Sequence, residues 1–173
     1  MKENAFSRIF RNDLIDFATN NSYFFKGKQA KKRIHLYLIQ DSYRSGRKPY
    51  DFYFLYHKHF IAVELKSVKG QSLSFGILSS HQKIYLEEVD SISSLSHSII
   101  VINLQSAGDK KALVLTIKEY NDILRKYYPN KSVKFDDLRD DGYTFIDREK
   151  IDRKLKWNIE DFFNKVFIRT KRG

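Results

Sequence analysis

The sequence predicts a mixed α/β fold, in which a central β-sheet of mixed strand direction is flanked by helices. Segments with helical spacing of apolar residues alternate with short runs rich in β-branched and aromatic residues, in the order helix, sheet, helix, sheet, helix. The 173 residues are 42% hydrophobic, which provides enough apolar side chains for a sizeable core. Only two prolines and seven glycines interrupt the chain and no repeat is found, so one domain over residues 1–173 is the simplest assignment.

The individual elements follow from these periodicities. Residues 5–19 place Phe6, Phe10, Leu14 and Phe17 on one helical stripe, which also contains Asp13. A polar loop separates the third predicted strand from the second helix. In chain order, the predicted elements are helix 5–19, strands 33–39, 50–56 and 59–66, helix 77–89, strands 98–104 and 111–117, and helices 118–127 and 155–168.

Composition restricts the chemistry that this chain can perform. The sequence contains no cysteine, which excludes disulfides, thiolate zinc sites and a cysteine nucleophile. Oxygen ligands or histidine are then the only metal donors, and a hard cation is expected. No apolar run approaches the roughly 18 to 20 residues needed to cross a bilayer. We therefore expect a soluble protein of the cytoplasm, associated with the nucleoid and not with a membrane.

The charge of the chain indicates a polyanionic partner. The net charge is +11 and the pI is about 9.7. These values favour nucleic acid as the partner, although an anionic membrane surface or a ribosomal site would select the same excess of basic residues. Residues 26–48 contain eight basic residues and one acid, Asp41, with tyrosines among them. This pattern is typical of a segment whose basic side chains contact phosphates and whose aromatic rings contact bases. The alternative interpretation is an ordinary solvated surface. The candidate nucleic-acid contacts are Lys31, Lys32, Arg33, Tyr43, Arg44, Arg47 and Lys48.

The two strands 50–56 and 59–66 predict a hairpin that brings charged side chains together. If the chain turns tightly through residues 57–58, Asp51 lies directly opposite Glu64, with Cβ atoms roughly 4.5 to 5.5 Å apart. Because side chains alternate along a strand, Lys66 shares the face of Glu64. Opposed carboxylates repel, so a cation between them or a retained proton is expected, and Mg²⁺ or Mn²⁺ suits oxygen donors. A three-residue turn would shift Asp51 to a diagonal position.

The same residues carry a resemblance to a known family. The segment Lys48-Pro49-Tyr50-Asp51, followed thirteen residues later by Glu64-Leu65-Lys66, resembles the PD-(D/E)xK nuclease signature, with Tyr50 between proline and aspartate. The stretch 51–66, followed by Ser74-Phe75 and His81-Gln82, is similar to the RecU-type Holliday junction resolvases. The resemblance covers residues 45–105 well and the rest of the chain loosely. It implies a restriction-endonuclease-like fold.

The resemblance also implies a function and roles for particular residues. A RecU-type protein is a homodimeric, metal-dependent endonuclease that cuts two strands of a four-way junction. Asp51 and Glu64 would then bind Mg²⁺ or Mn²⁺, Lys66 would position water or stabilise developing charge, and Gln82 would help to orient the water. A stalk-like insertion at about 35–48 would enter the junction. Branched DNA is the implied partner, and other recombination proteins are further candidates.

One feature of the nuclease pattern is missing. The first helix of that superfamily usually carries an acid, but Ser7 stands at the corresponding position. Asp13 is our substitute because it lies on the apolar stripe of the helix, Glu3 is an alternative, and Asp13 could equally be a residue without a chemical role. The five histidines have no familiar zinc spacing, and we expect His57 and His59 to face solvent.

Two other functions fit the sequence less closely. A restriction-type or repair-type nuclease acting on duplex DNA could use the same motif, because the motif is widespread. A non-catalytic nucleic-acid-binding module would explain the basic charge and would leave Asp51 and Glu64 as structural residues. Cleavage of branched substrates with divalent metal separates these alternatives.

Overall fold

A computed structural model describes residues 5–20, 22–25, 28–31, 34–38, 50–56, 58–107, 110–151 and 153–170. The helices are α1 (Ala5–Asn20), α2 (Ser80–Ile92), α3 (Ile117–Lys126), α4 (Phe135–Asp140) and α5 (Ile159–Thr170), with a 3-10 turn at Gln105–Ala107. The strands are β1 (Ser22–Phe25), β2 (Lys28–Lys31), β3 (Ile34–Leu38), β4 (Phe52–Tyr56), β5 (His59–Val68), β6 (Ser72–Ser74), β7 (Ser96–Leu104), β8 (Lys111–Thr116), β9 (Ser132–Lys134), β10 (Thr144–Ile151) and β11 (Lys154–Trp157).

Seven of these strands form a central sheet in the order β11-β10-β8-β7-β5-β4-β3. Strands β5 and β7 are parallel, and the other neighbours in this sheet are antiparallel. Helix α2 lies in the connection between β5 and β7, as a parallel pair requires. Two small antiparallel sheets, β1-β2 and β6-β9, complete the described strands. The predicted class, a mixed central sheet flanked by helices, is confirmed.

Apolar side chains cover both faces of the central sheet. On one face, α1 and α5 pack against alternate residues of β4, β5 and β7. On the other face, α2, α3 and α4 pack against the intervening residues, together with β6 and β9. The strands β5, β7 and β8 are therefore covered on both sides, which explains why β7 is buried along its whole length.

The register of the β4-β5 hairpin agrees with the prediction from the sequence. Tyr56 pairs with His59, and Phe52 pairs with Val63. Extending this register by one residue places Asp51 beside Glu64. The tight-turn prediction is confirmed for the paired residues, so the alternative register with a longer turn does not occur.

Other boundaries differ from the prediction. Residues 154–157 form strand β11, which pairs with β10, so α5 begins at Ile159 and not at 155. Helix α2 begins at Ser80 and buries Leu86 and Val89, whereas Ile84 and Tyr85 are 53% and 42% exposed. Ile84 and Tyr85 therefore lie outside the buried face of this helix. His59 is half-buried and contacts His97, so the expectation that His59 faces solvent is wrong.

The predicted insertion at 35–48 is only partly described. Residues 35–38 belong to β3, which pairs with β4 at the edge of the central sheet. Residues 39–48 lie outside the described part of the chain. Among the described residues, no helix is long and apolar enough to span a membrane.

Candidate active site

Glu64 occupies an unusual place for a carboxylate, in the middle of the buried strand β5. It is 2% exposed, and it pairs with Ile100 of the parallel strand β7. Strand alternation places it on the same face as Ala62, which packs in the layer of α2 and α3. The main-chain hydrogen bonds of two neighbouring strands therefore fix the backbone of this residue.

Asp51 is held beside Glu64 by two main-chain contacts. Its N–H donates to the carbonyl oxygen of Val63 at 3.1 Å, and its carboxylate Oδ2 accepts the N–H of Leu65 at 2.8 Å. These two partners are the residues on either side of Glu64. The carboxylate of Asp51 is thus oriented by the backbone of β5, next to the second carboxylate.

Lys66 provides the positive charge of the cluster. Its Nζ lies 2.8 Å from Oε1 of Glu64 and donates to Oε1 of Gln82 at 3.0 Å. Its side chain is 22% exposed, whereas that of Glu64 is 3% exposed. The ammonium group can therefore contact both the buried carboxylate and a molecule that approaches from solvent.

Gln82 connects the first turn of α2 to this cluster. Its Nε2 donates to Oε1 of Glu64 at 2.5 Å, while its Oε1 accepts hydrogen bonds from Lys66 and from the N–H of Ser79 at 3.2 Å. Ser79 is the N-cap residue of α2, so Gln82 also belongs to a capping box. The start of the helix therefore fixes the orientation of the amide.

The surroundings of Glu64 change its proton affinity. Burial, followed by the negative charge of Asp51, raises the pKa of Glu64 to about 7, although Lys66 and Gln82 act in the opposite direction. Burial is the largest of these effects. Near neutral pH the carboxyl group is therefore divided between its protonated and ionised forms.

The donor set fits a hard divalent cation. Oε2 of Glu64 is buried and has no hydrogen-bond partner among the described residues, which is costly for a carboxylate oxygen unless a cation or a proton satisfies it. The described residues contain no group of three or more histidine, aspartate and glutamate side chains that could hold a metal. The described part of the site thus offers two carboxylates, which suits Mg²⁺ because that ion commonly keeps several waters.

The structure brings Asp51, Glu64, Lys66 and Gln82 together, but it does not bring Asp13 to them. Asp13 packs on the opposite face of the sheet, where its Oδ2 accepts the N–H of Trp157 in β11 at 2.9 Å. Burial raises the pKa of this carboxyl group. Our selection of Asp13 as a catalytic acid is therefore corrected. It lies on the apolar stripe because it satisfies a buried main-chain donor.

The remaining candidates lie partly outside the described residues. Lys31 ends strand β2. Ser7 is half-buried in α1. The residues outside the described part of the chain are Glu3, Lys32, Arg33, Tyr43, Arg44, Arg47 and Lys48.

Sequence reasoning missed two contacts that organise the site. The main-chain N–H of Leu65 orients Asp51, and Ser79 supports Gln82. The second contact has a sequence signal, because Ser79-Ser80-His81-Gln82 matches the S-x-x-Q capping box. The first has none, since it depends on the hairpin register and on the backbone.

Comparison with known proteins adds a likeness of structure. No protein-family model matches the sequence, and no curated protein matches it. Fourteen chains of solved structures are similar to it, among them Archaeoglobus fulgidus Hjc, described as a Holliday junction resolvase from an archaeal hyperthermophile. That chain is 15% identical, the match covers 75% of this chain and 86% of that chain, and the TM-score is 0.44.

Proposed function

We propose that this protein is a metal-dependent nuclease that hydrolyses phosphodiester bonds. The observation that carries the proposal is the buried Glu64, whose Oε2 lacks a hydrogen-bond partner among the described residues and which lies beside Asp51 and Lys66. A purely structural role would leave this carboxylate at a large desolvation cost, since an apolar residue would pack better in β5. A site that receives a cation explains why the charge is retained.

Asp51 and Glu64 would hold Mg²⁺ or Mn²⁺. When bound, such an ion supplies an activated water and neutralises charge on the scissile phosphate. Asp51 is oriented for this role by the N–H of Leu65. Glu64 binds a cation only as the carboxylate, so binding releases the proton that its pKa of about 7 retains near neutral pH.

Lys66 and Gln82 act on the substrate side of the proposed site. The partly exposed ammonium group of Lys66 would stabilise negative charge that develops on the phosphate. The amide of Gln82 accepts a hydrogen bond from Nζ of Lys66 at 3.0 Å and donates one to Oε1 of Glu64 at 2.5 Å. These two contacts fix the distance between the ammonium group of Lys66 and the carboxylate of Glu64 before substrate binds. Such fixed dipoles need no reorganisation during the reaction.

Within this class, we propose that the protein is a Holliday junction resolvase. Two features of the sequence support this choice. The motif from Asp51 to Lys66, with Gln82, resembles that of the RecU-type enzymes, and the basic segment 26–48 directly precedes Asp51. The resemblance implies a homodimer that nicks two strands of branched DNA symmetrically.

The proposal is tested by cleavage of a synthetic four-way junction and of linear duplexes with the same arm sequences. With Mn²⁺ or Mg²⁺, the wild type should nick the junction at paired positions and leave the duplexes intact. Asp51→Asn should abolish cleavage, whereas Asp140→Asn, an exposed aspartate of α4, should not. Equal cutting of linear duplex would exclude the resolvase, and cuts at a defined duplex sequence would favour a restriction-type enzyme.

A further inference from the structure

A cavity of about 120 Å³ lies between the beginning of α1 and the central sheet. Its polar lining comes from Asn103, Gln105 and Arg148, and Trp157 forms a further part of the wall. Trp157 is 2% exposed and therefore belongs to the inner wall, whereas Gln105 is half-buried and marks the mouth. Trp157 packs with α1 and α5, so the cavity lies on the face of the sheet opposite to the carboxylate cluster.

Trp157 places a hydrogen-bond donor in this wall. Its Nε1–H is buried and has no hydrogen-bond partner among the described residues. The indole ring is held by Phe6 and Phe10, whose ring centroids lie 5.6 and 6.1 Å away. A buried donor without an acceptor is costly and rare in native proteins. The cavity that the indole lines is the space in which an acceptor of a ligand can reach this donor.

Arg148 adds a second group that only donates hydrogen bonds. Its Nη2 donates to the carbonyl oxygen of Leu155 at 2.6 Å, and its guanidinium carbon lies 5.7 Å from the centroid of the Trp157 ring. Burial raises the pKa of Asp13, whereas the N–H of Trp157 and the charge of Arg148 lower it. Asp13 thus balances part of the charge of Arg148, which favours a neutral acceptor over a free anion.

The rest of the lining suits a ring with apolar faces and a polar edge. Ala5, Phe6 and Ile9 of α1 provide apolar walls. Asn103 and Gln105 carry amides, which both donate and accept hydrogen bonds. One water needs about 10 to 15 Å³ of such space, so the cavity has room for roughly ten waters. This volume exceeds that of a single ion and fits a small planar ligand.

We propose that this cavity binds a nucleobase whose edge presents adjacent hydrogen-bond acceptors, as guanine does with O6 and N7. Arginine commonly binds this pair of atoms, and the N–H of Trp157 would donate to the same edge. Cytosine presents an amino donor at the corresponding edge and should fit poorly. The base could come from an unpaired position of branched DNA or from a free nucleotide. The DNA source rests on the proposed nuclease function, whereas nucleotide binding does not.

The cavity is separate from the proposed active site. Asn103 lies three residues beyond Ile100, which is the β7 partner of Glu64. This separation corresponds to roughly 10 Å of strand at about 3.3 Å per residue. Strand alternation also places the side chains of Asn103 and Ile100 on opposite faces of the sheet. A base in the cavity would therefore lie near the carboxylate cluster without contacting it.

Fluorescence titration of the full chain in EDTA tests the proposal, because Trp157 is the only tryptophan of the sequence. Added dGMP should change its emission saturably, after correction with free tryptophan amide for light absorbed by the ligand. The affinity for dCMP should be at least about tenfold weaker, and inorganic phosphate should give no response. Arg148→Met should weaken dGMP binding at least about tenfold. Arg125→Met, at an exposed arginine of α3, should leave the affinity unchanged.

Thermal unfolding shows whether each variant is folded, and Gln105→Ala at the mouth provides a milder second variant. It should weaken dGMP binding about two- to tenfold. A cytosine oligonucleotide with one guanine should saturate the response as a single strand but not as a full duplex. A response to dGMP alone assigns the free nucleotide as the ligand.

Three results would overturn the proposal. The first is the absence of a saturable response to dGMP, and the second is equal affinity for dCMP or phosphate. The third is unchanged dGMP affinity in both folded variants, Arg148→Met and Gln105→Ala. Cleavage is not measured in these titrations, so each of these results leaves the nuclease proposal unaffected. Conversely, a chain that binds dGMP but cuts no DNA would retain the base site and lose the nuclease assignment.

Discussion

Replacing Glu64 by glutamine should make the metal-free protein more stable at pH 8, although it removes a residue of the proposed active site. In the folded chain the carboxyl group is 2% exposed and its pKa is raised to about 7 by burial and by Asp51. Glutamine has nearly the same shape as the protonated acid, and it carries no charge that must be desolvated.

The sign and size of this effect follow from linkage. Because the pKa is raised in the folded state, protonation of Glu64 favours that state most strongly below the ordinary glutamate pKa of 4.5. This contribution is lost as pH rises toward 7, since the unfolded chain ionises first. The rise in the pKa from 4.5 to about 7 corresponds to about 3 kcal/mol. The glutamine variant does not ionise, so its advantage should grow from near zero at pH 4.5 to about 3 kcal/mol at pH 8.

Urea unfolding in EDTA at several values between pH 5 and pH 8 measures this difference. Glu160→Gln, at an exposed glutamate of α5, is the matched control and should change the free energy of unfolding very little. Added Mn²⁺ should stabilise the wild type and should have a much smaller effect on Glu64→Gln. A Glu64→Gln variant that is no more stable than the wild type at pH 8, or whose advantage does not depend on pH, would refute the reasoning.

Substitution of Lys66 by methionine should lower the rate of junction cleavage about 10²- to 10³-fold, because a fixed cation at the phosphate is lost, and single-turnover kinetics measures this. Asp13→Ala should lower the free energy of unfolding by about 1 to 3 kcal/mol, because the main-chain donor of Trp157 loses its partner. Its cleavage rate should stay at the wild-type level under conditions where both proteins are folded, and a strongly reduced rate would return Asp13 to the active site. Alanine at Arg44, Arg47 and Lys48 should reduce the slope of log affinity against log salt by up to about 3 if all three contact phosphates. An unchanged slope would remove these residues from the DNA contacts.

The hairpin that carries the site could be predicted from the sequence because its register depends only on residues that are close together in the chain. A short turn and strict alternation determine which residues pair, so Tyr56 opposite His59 leads by counting to Asp51 beside Glu64. Gln82 was predicted as a site residue from the resemblance to a known motif. The capping box that it forms with Ser79 is an independent local signal for its position. These contacts depend on neighbours along one hairpin or one helical turn.

Contacts between distant segments could not be predicted in this way. Asp13 and Trp157 are 144 residues apart, so their hydrogen bond has no local pattern, and the apolar stripe around Asp13 suggested a different role. His59 and His97 are 38 residues apart and meet only because β5 and β7 are parallel neighbours. On α2, Ile84 continues an apolar period but points to solvent, since tertiary packing selects Leu86 and Val89.

Cleavage of a four-way junction by the wild type and by Glu64→Gln tests the central claim most directly. In Mn²⁺, the wild type should produce paired symmetric nicks in the junction and leave linear duplex intact. Folded Glu64→Gln should produce no nicks, although it should still bind the junction. Nicking by Glu64→Gln at the wild-type rate, or absence of nicking by the wild type with any divalent ion, would contradict a metal-dependent nuclease centred on Asp51, Glu64 and Lys66.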